Sequence, residues 1–386
     1  MKIKKKILFL VTEDWYFCSH RMSIARAVRD MGCEVVIATR VKEHATEIKK
    51  EGFKLIPIRL KRSNKNPVTE IVSVIEIILI YISERPDVVH HVAIKPVIYG
   101  SVAAIISGIK SVVNALAGLG YIFTSGDYKA RLLRPFIKLG LSFLLRRSDN
   151  RVIIQNTEDR QMMVKRFGIP QKNIILIRGS GVDTNHFIPV AEPQGIPLVV
   201  LVARMLWDKG IREFVEAAKI IKGQKTDARF ILVGSPDVEN PSSIPKAQLL
   251  QWQAEGIIQW WGYRDDIAAI WAQAHIAVLP SYREGLPKAL LEAASCGRPI
   301  VTTDTTGCRE IVKHGENGLL VPVQNITELA RAIDSLIKDE NTRKRMGLRG
   351  RQMVESEFSE QIVINAHLAA YQELLSSTTP RLKAGA

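Results

Sequence analysis

Short, nearly unbroken apolar runs alternate with longer amphipathic segments along most of the chain. In the first half the runs are Lys6–Val11, Glu34–Thr39, Lys54–Arg59, Asp87–Val92, Ser111–Leu116, Arg151–Gln155 and Ile174–Ile177. In the second half they are Leu198–Ala203, Phe230–Val233, Ile257–Trp260, Ile276–Leu279, Ile300–Thr302 and Leu319–Val321. Runs this short and this rich in Val, Ile and Leu predict parallel strands buried on both faces. Helix-length segments separate them, among them Phe17–Met31, Pro67–Ser83, Pro96–Ser107 and Arg131–Arg147, and Glu360–Ser376 closes the pattern. Strands alternating with helices predict doubly wound α/β sheets. The alternation pauses at Pro189–Pro197, where three prolines and a glycine fall within PVAEPQGIP and read as a linker. The expected plan is therefore two Rossmann-like domains, residues 1–188 and 189–359, with a last helix over about 360–386 packing back on the first. Ligands are expected at the carboxyl ends of the strands, in the cleft between the domains.

Composition narrows the class. With 386 residues, 46% hydrophobic and 24% charged, the chain can bury two ordinary cores. Cys18, Cys33, Cys296 and Cys308 are scattered, without CxxC or a His/Cys cluster, which predicts reduced thiols and no zinc site. The apolar run after the basic MKIKKK stops at Thr12-Glu13-Asp14, too short for a signal peptide. The best spanning candidate, Ile71–Ile82, is also too short and contains Glu76. The expected location is the cytoplasm, peripheral on the inner face of the cell membrane. The formal charge of +15 is lopsided: residues 1–188 carry 31 Lys/Arg against 16 Asp/Glu, whereas 189–386 are balanced at 23 each. An anionic partner for the first half would explain this, and so would an ordinary basic surface.

The chemistry-bearing stretch is PSYREGLPKALLEAASCGRPIVTT, Pro280–Thr303. It follows a strand, and Pro287 and Gly297 bracket a short helix. Glu284 precedes that helix and Glu292 lies in its second turn. Backbone N–H groups at Gly285 and Leu286, backed by the helix dipole, suit an anion or a polar sugar edge. A carboxylate accepting from a ribose diol is a recurrent nucleotide-recognition device, and Glu292 suits it. Upstream, Arg204 and Lys209 lie on the strand-to-helix segment VARMLWDKG, placed to neutralise a diphosphate.

Glu284-Gly285-Leu286-Pro287, Leu291-Glu292-Ala293 and Cys296-Gly297-Arg298-Pro299-Ile300-Val301 together resemble the signature of the retaining glycosyltransferase family 4 (group 1). Gly307…Glu310-Ile311-Val312, Gly315-Glu316-Asn317-Gly318 and the upstream Gly262-Tyr263-Arg264-Asp265-Asp266-Ile267 continue the pattern. The resemblance implies a GT-B fold and metal-independent hexosyl transfer with retention from a nucleotide-sugar. No cofactor is implied, and the absence of a DxD motif fits that. It assigns Arg204 and Lys209 to the diphosphate, Glu292 to the ribose, Glu284 and Pro287 to the sugar loop, and the Gly262–Arg264 backbone to the base. UDP and an N-acetylhexosamine are the donor parts it favours. In the first domain, His90-His91-Val92-Ala93-Ile94-Lys95 occupies the place where the family's His-x-His contacts the sugar. Alternation along the strand favours His91 as the exposed member, and His90 stays open.

Ser19-His20-Arg21 and Asn114-Ala115-Leu116-Ala117-Gly118-Leu119-Gly120-Tyr121 resemble members that act on polyprenyl-diphosphate-linked sugars. His20, Arg21, His90 and Lys95 are thus acceptor-side candidates, although the family's glycine-rich loop after the first strand is missing. Arg131–Arg147, with Arg131, Arg134, Lys138, Arg146 and Arg147, reads either as a basic amphipathic helix on an anionic bilayer or as a helix packed on its sheet. Two rival functions stand: a nucleotide-sugar 2-epimerase of the same architecture, and a basic nucleic-acid-binding protein. The first predicts product from donor alone, the second salt-sensitive DNA binding.

Overall fold

The computed structural model describes residues 4–62, 66–116, 138–147 and 149–377. These divide into two units, one running to Ser180 and resuming at Val363, the other Gly181–Ile362. The first unit holds seven parallel strands: β1 (Lys6–Glu13), β2 (Glu34–Arg40), β3 (Lys54–Pro57), β4 (Val88–Val92), β5 (Ser111–Ala115), β6 (Asn150–Ile154) and β7 (Ile174–Leu176). Their order is β3-β2-β1-β4-β5-β6-β7. Successive side chains of β1 serve opposite faces. Ile7, Phe9 and Val11 join one core with α1 (Asp14–His20) and α2 (Met22–Asp30). Leu8 and Leu10 join another with α4 (Pro67–Glu84) and α5 (Ile94–Ile106), while α3 (Ala45–Lys50) leads into β3. Every residue of β4 and β5 is buried, as their apolar runs require.

The second unit repeats the plan with β8 (Leu198–Val202), β9 (Arg229–Val233), β10 (Gln259–Trp260), β11 (Ile276–Leu279), β12 (Ile300–Thr303) and β13 (Gly318–Val321). The order is β10-β9-β8-β11-β12-β13. In each sheet the order reverses once, between β1 and β4 and between β8 and β11. Loops diverge to opposite faces there, and a ligand can reach the strand ends.

Three local expectations change. The predicted helix Phe17–Met31 is two helices, starting earlier at Asp14 and interrupted at Arg21 (φ −131°, ψ −10°). The unit boundary lies at Ser180/Gly181 rather than 188/189, because Val182 and Phe187 belong to the second core. Pro189–Pro197 is accordingly not a free linker. Buried Arg298 donates to Val190 O, and buried Arg343 pairs with Glu192 at 2.5 Å, strapping the segment to the second unit. The final crossing runs beside the first: Val182 N–H donates to Phe358 O and Glu360 N–H to Val182 O. Gly181, at φ 72°, is required there, since a Cβ would come within 2.7 Å of Glu360 Cα. Further helices are α6 (Thr157–Phe167) in the first unit, then α7 (Ile211–Gly223), α8 (Lys246–Ala254), α9 (Ile267–Gln273), α10 (Lys288–Ser295) and α11 (Thr306–Ile311) in the second. To these the C-terminal stretch adds α12 (Ile326–Lys338), α13 (Glu340–Met353) and α14 (Glu360–Ser377). Val363, Tyr371 and Leu374 of α14 are buried in the first unit's core.

Candidate active site

In the second unit, five neighbouring strands send their carboxyl-end loops to one rim, and glycines set how closely the loops approach. Gly210 ends the turn after β8 at φ 72°, where a Cβ would lie 2.0 Å from Pro280 O in the loop after β11. Tyr282 N–H also donates to Asp208 O across these two loops. Their union spans the point where the sheet order reverses, and it places Lys209 Nζ 2.6 Å from Glu284 Oε1. Ser281 Oγ donates to the same oxygen at 2.6 Å. Both donors converge on Oε1. Gly307, opening α11 after β12, supports the Glu284–Gly285 backbone from the far side; a Cβ there would lie 2.4 Å from Gly285 O.

On the other side of β8, Gly234 brings the loop after β9 against Ala203 O, where a Cβ would fall at 1.9 Å. That contact presents Asp237, whose Oδ2 takes Arg204 Nη1 at 2.6 Å. Arg204 is thus an oriented, half-exposed cation. Gly234 N–H donates to Gly262 O at 2.7 Å, tying in the loop after β10. Tyr263 stands 74% exposed there, and Arg264 is held by Asp266 through both carboxylate oxygens.

Glu292 sits in α10 among Leu290, Leu291, Ala293 and Ala294, which face the core. Burial pushes its carboxyl up to about 7, moderated by Lys288 one turn earlier, whose Nζ lies 3.7 Å away. Pro287 is the residue before the first turn of α10, in extended conformation, and Gly285 and Leu286 precede it.

The first-unit candidates behave differently. His90 and His91 point to opposite faces of β4, but helices cover both faces, so both are fully buried. His91 Nδ1 lies 2.8 Å from Asn114 Oδ1 and Nε2 2.8 Å from the Tyr81 hydroxyl. Gly100 closes over the ring, since a Cβ there would come within 2.5 Å of Nε2. Desolvation lowers the His91 ring to about 4, so it is neutral near pH 7. His90 Nδ1 meets the Tyr371 hydroxyl of α14 at 2.5 Å. The expectation that alternation frees His91 for a ligand is therefore corrected: both rings are core groups. Lys95 is held by Glu70 at 2.8 Å. Arg21 is 2% exposed and donates to His20 O, and His20 stacks on Tyr16 at 4.2 Å. Of the expected basic helix, Arg131 and Arg134, like Ala117–Tyr121 of the other motif, lie outside the described residues. In the remainder Leu141, Leu144 and Leu145 are buried, Arg146 Nε donates to Phe167 O and Arg147 pairs with Asp149.

Two family profiles match the chain. The profile described as "Glycosyl transferases group 1" matches residues 183–353, and "Glycosyl transferase 4-like" matches 6–156. The chain belongs to the group 1 glycosyl transferases. It is 28% identical over 370 residues to the N,N'-diacetylbacillosaminyl-diphospho-undecaprenol alpha-1,3-N-acetylgalactosaminyltransferase of Campylobacter jejuni, covering 92% of this chain and 96% of that one. It is 26% identical over 292 residues to the UDP-Gal:alpha-D-GlcNAc-diphosphoundecaprenol alpha-1,3-galactosyltransferase of Escherichia coli, covering 72% and 73%. Among solved structures, Anabaena HepE in complex with UDP superposes with a TM-score of 0.75 at 19% identity, covering 97% of this chain and all of that one. The glycosyltransferase has the GT-B fold. Both of these relatives are transferases, which supports neither an epimerase nor a nucleic-acid-binding protein.

Several groups of this transferase carry no local signature. Asp237 and Ser281 are unremarkable in sequence and become site residues only through the loops that meet them. Ala93 holds φ 77° at the carboxyl end of β4, a strained conformation for alanine beside the reversal of the first sheet. A mixed cluster also forms where none was expected: Cys18, His44 and Glu47 each offer a ligand atom within 4.8 Å of the others. Asp14 assembles it by accepting from the N–H groups of Lys42, Glu43 and His44. Residues far apart in sequence cannot be seen as a cluster before the loop folds over α1.

The glycine contacts yield a direct expectation for the glycosyltransferase. Gly307→Ala should displace the Glu284–Gly285 backbone, weakening donor binding at least tenfold and costing about 1–3 kcal/mol of stability. Gly223→Ala, where a Cβ meets nothing within 4 Å, is the control. Equal donor affinity in the two variants, by calorimetry, would show that Gly307 does not shape the site.

Proposed function

We propose that this glycosyltransferase moves an N-acetylhexosaminyl unit from a UDP-sugar to a polyprenyl-diphosphate-linked saccharide, with retention and without a metal ion. The observation that carries the donor site is the Lys209–Glu284 pair, formed between the loops after β8 and β11 where the sheet order reverses. The UDP-bound neighbour and the UDP-Gal donor of the Escherichia relative support the nucleotide, the name of the Campylobacter relative supports an N-acetylhexosamine, and both relatives' names support the acceptor class.

In this reading Tyr263 stacks on the base and Glu292 accepts from the ribose hydroxyls. Arg204 and Lys209 offset the charge that grows on the departing diphosphate. Their fixed cations do what a divalent ion does in other transferases. Glu284 holds the sugar hydroxyls through Oε2. The glycosidic C–O bond to the diphosphate breaks through an oxocarbenium-like transition state. The acceptor hydroxyl bonds to the same carbon on the leaving-group face, and its proton passes to a diphosphate oxygen.

Thermal stabilisation by a panel of UDP-, GDP- and ADP-sugars, with and without EDTA, tests the donor half. A shift with one UDP-sugar that EDTA does not change is expected; an EDTA-sensitive shift overturns metal independence, and no shift overturns the site. Transfer to a polyprenyl-diphosphate N-acetylhexosamine, followed by NMR of the new anomeric centre, tests acceptor class and retention.

A further inference from the structure

An amphipathic helix on a soluble domain turns charges outward, and α4 does not. Its inward face is Ser73, Ile77 and Tyr81. Diametrically opposite, Val68, Ile71, Val72, Ile75, Leu79 and Ile82 are 42–68% exposed. At 1.5 Å per residue this stripe is about 21 Å long. All three carboxylates of the helix are turned aside and satisfied: Glu70 by Lys95 and Tyr99, Glu76 by the N–H of Arg59, Glu84 by Lys6 and Lys54. None of the three is classed among the exposed residues, whereas Lys61 and Arg62 before the helix and Arg85 at its C-cap are.

We propose that the outward face of α4 is the surface by which this protein docks on an anionic lipid bilayer. An apolar stripe with cations at both ends and no exposed carboxylate matches acyl boundary and anionic headgroups together, and interfacial binding needs both signals. A second copy fits less well. One helix face about 21 Å long and 10 Å wide offers roughly 200 Å² against the ~800 Å² per partner of a stable interface. Pairing two such faces would also bring like charges together. The excess of basic residues in 1–188 supplies long-range attraction to the same surface. The assignment stands apart from Arg131–Arg147, of which residues 131–137 lie outside the described residues and Leu139 and Phe143 are also exposed. It rests on the lipid-linked acceptor reading only for its purpose, because binding is measured without substrate.

The test is flotation with vesicles of phosphatidylcholine alone and of phosphatidylcholine with 30% phosphatidylglycerol. Wild type should float with the anionic vesicles at low salt. Ile75→Glu/Leu79→Glu should reduce partitioning at least tenfold, and Lys61→Glu/Arg62→Glu should make the remaining binding less sensitive to salt. Each variant is checked for unchanged UDP binding, so that failure here is separate from failure of the donor site. Equal flotation of the Ile75/Leu79 variant, or none by wild type, overturns the proposal. A wild-type dimer by light scattering that the same variant dissociates, without vesicle binding, assigns the face to a second copy instead.

Discussion

Lys209→Ala should slow sugar transfer by roughly 10²–10³, the usual loss when one preorganised charge is removed from a developing anion. The reason lies in where Lys209 is held. It stands on the tight turn after β8, anchored by Gly210 against Pro280, with Glu284 as its partner at 2.6 Å. Lys209 and Glu284 are both mostly shielded from water, so the interaction is less screened than a surface pair. Alanine removes the cation proposed to meet the diphosphate and also frees Glu284 from half of its orientation. Glu284→Gln keeps the shape and removes the charge, so it should cost less in binding than in turnover. Because the two act as a unit, the double variant should be far less impaired than the product of the single effects. Rates within threefold of wild type for Lys209→Ala, in protein with an unchanged melting transition, would remove this pair from the mechanism. Additive effects would separate the two residues.

Glu292→Gln should have opposite effects on stability and on donor binding. Burial holds the Glu292 carboxyl near 7, above its ordinary 4.5. Ionising it in the folded protein therefore costs on the order of 3 kcal/mol more than in the unfolded chain. A raised carboxyl value favours the folded state at low pH, where the group is protonated in both states. That advantage falls away as pH rises from 4.5 through about 7. Glutamine removes the ionisation altogether, so the variant should melt higher than wild type at pH 8 and nearly level with it at pH 5. The same change removes a charged acceptor from the proposed ribose site, and UDP should bind roughly 10–100-fold more weakly at pH 8. Wild-type affinity should gain from pH 6 to pH 8 beyond what the variant gains, since only the wild type acquires the carboxylate over that range. A variant less stable than wild type at pH 8, or one that binds UDP normally, would overturn the assignment. The proposed role thus explains why a destabilising group is kept in a helix that otherwise faces the core.

Local pattern was sufficient for a large part of this protein. Each predicted strand is present within a residue or two, because parallel strands buried on both faces must be continuous apolar runs. The rim loops were legible for a related reason. Glycine and proline at Gly210, Gly285, Pro287 and Gly307 mark places where backbone must turn sharply or approach other backbone, and such demands are written in single residues. The charge imbalance between the halves could likewise be counted directly.

What needed the tertiary structure was every property that depends on what lies across from a residue. Alternation along β4 separates His90 from His91, but only the cover of α14 on one face and α4 and α5 on the other shows that both are buried. The prolines of 189–197 resemble a linker until Arg298 and Arg343 are seen gripping Val190 and Glu192 between them from far along the chain. Asp237 and Ser281 acquire roles because the folded loops bring them to Arg204 and Glu284. Apolar periodicity in Pro67–Ser83 predicts a helix and cannot tell which of its apolar faces is covered. In α4 both faces are apolar, and only packing decides that Ile77 and Tyr81 go inward while Ile75 and Leu79 meet the surroundings. Sequence records the preferences of each segment, whereas burial and charge pairing are set by partners that the chain brings together only when it folds.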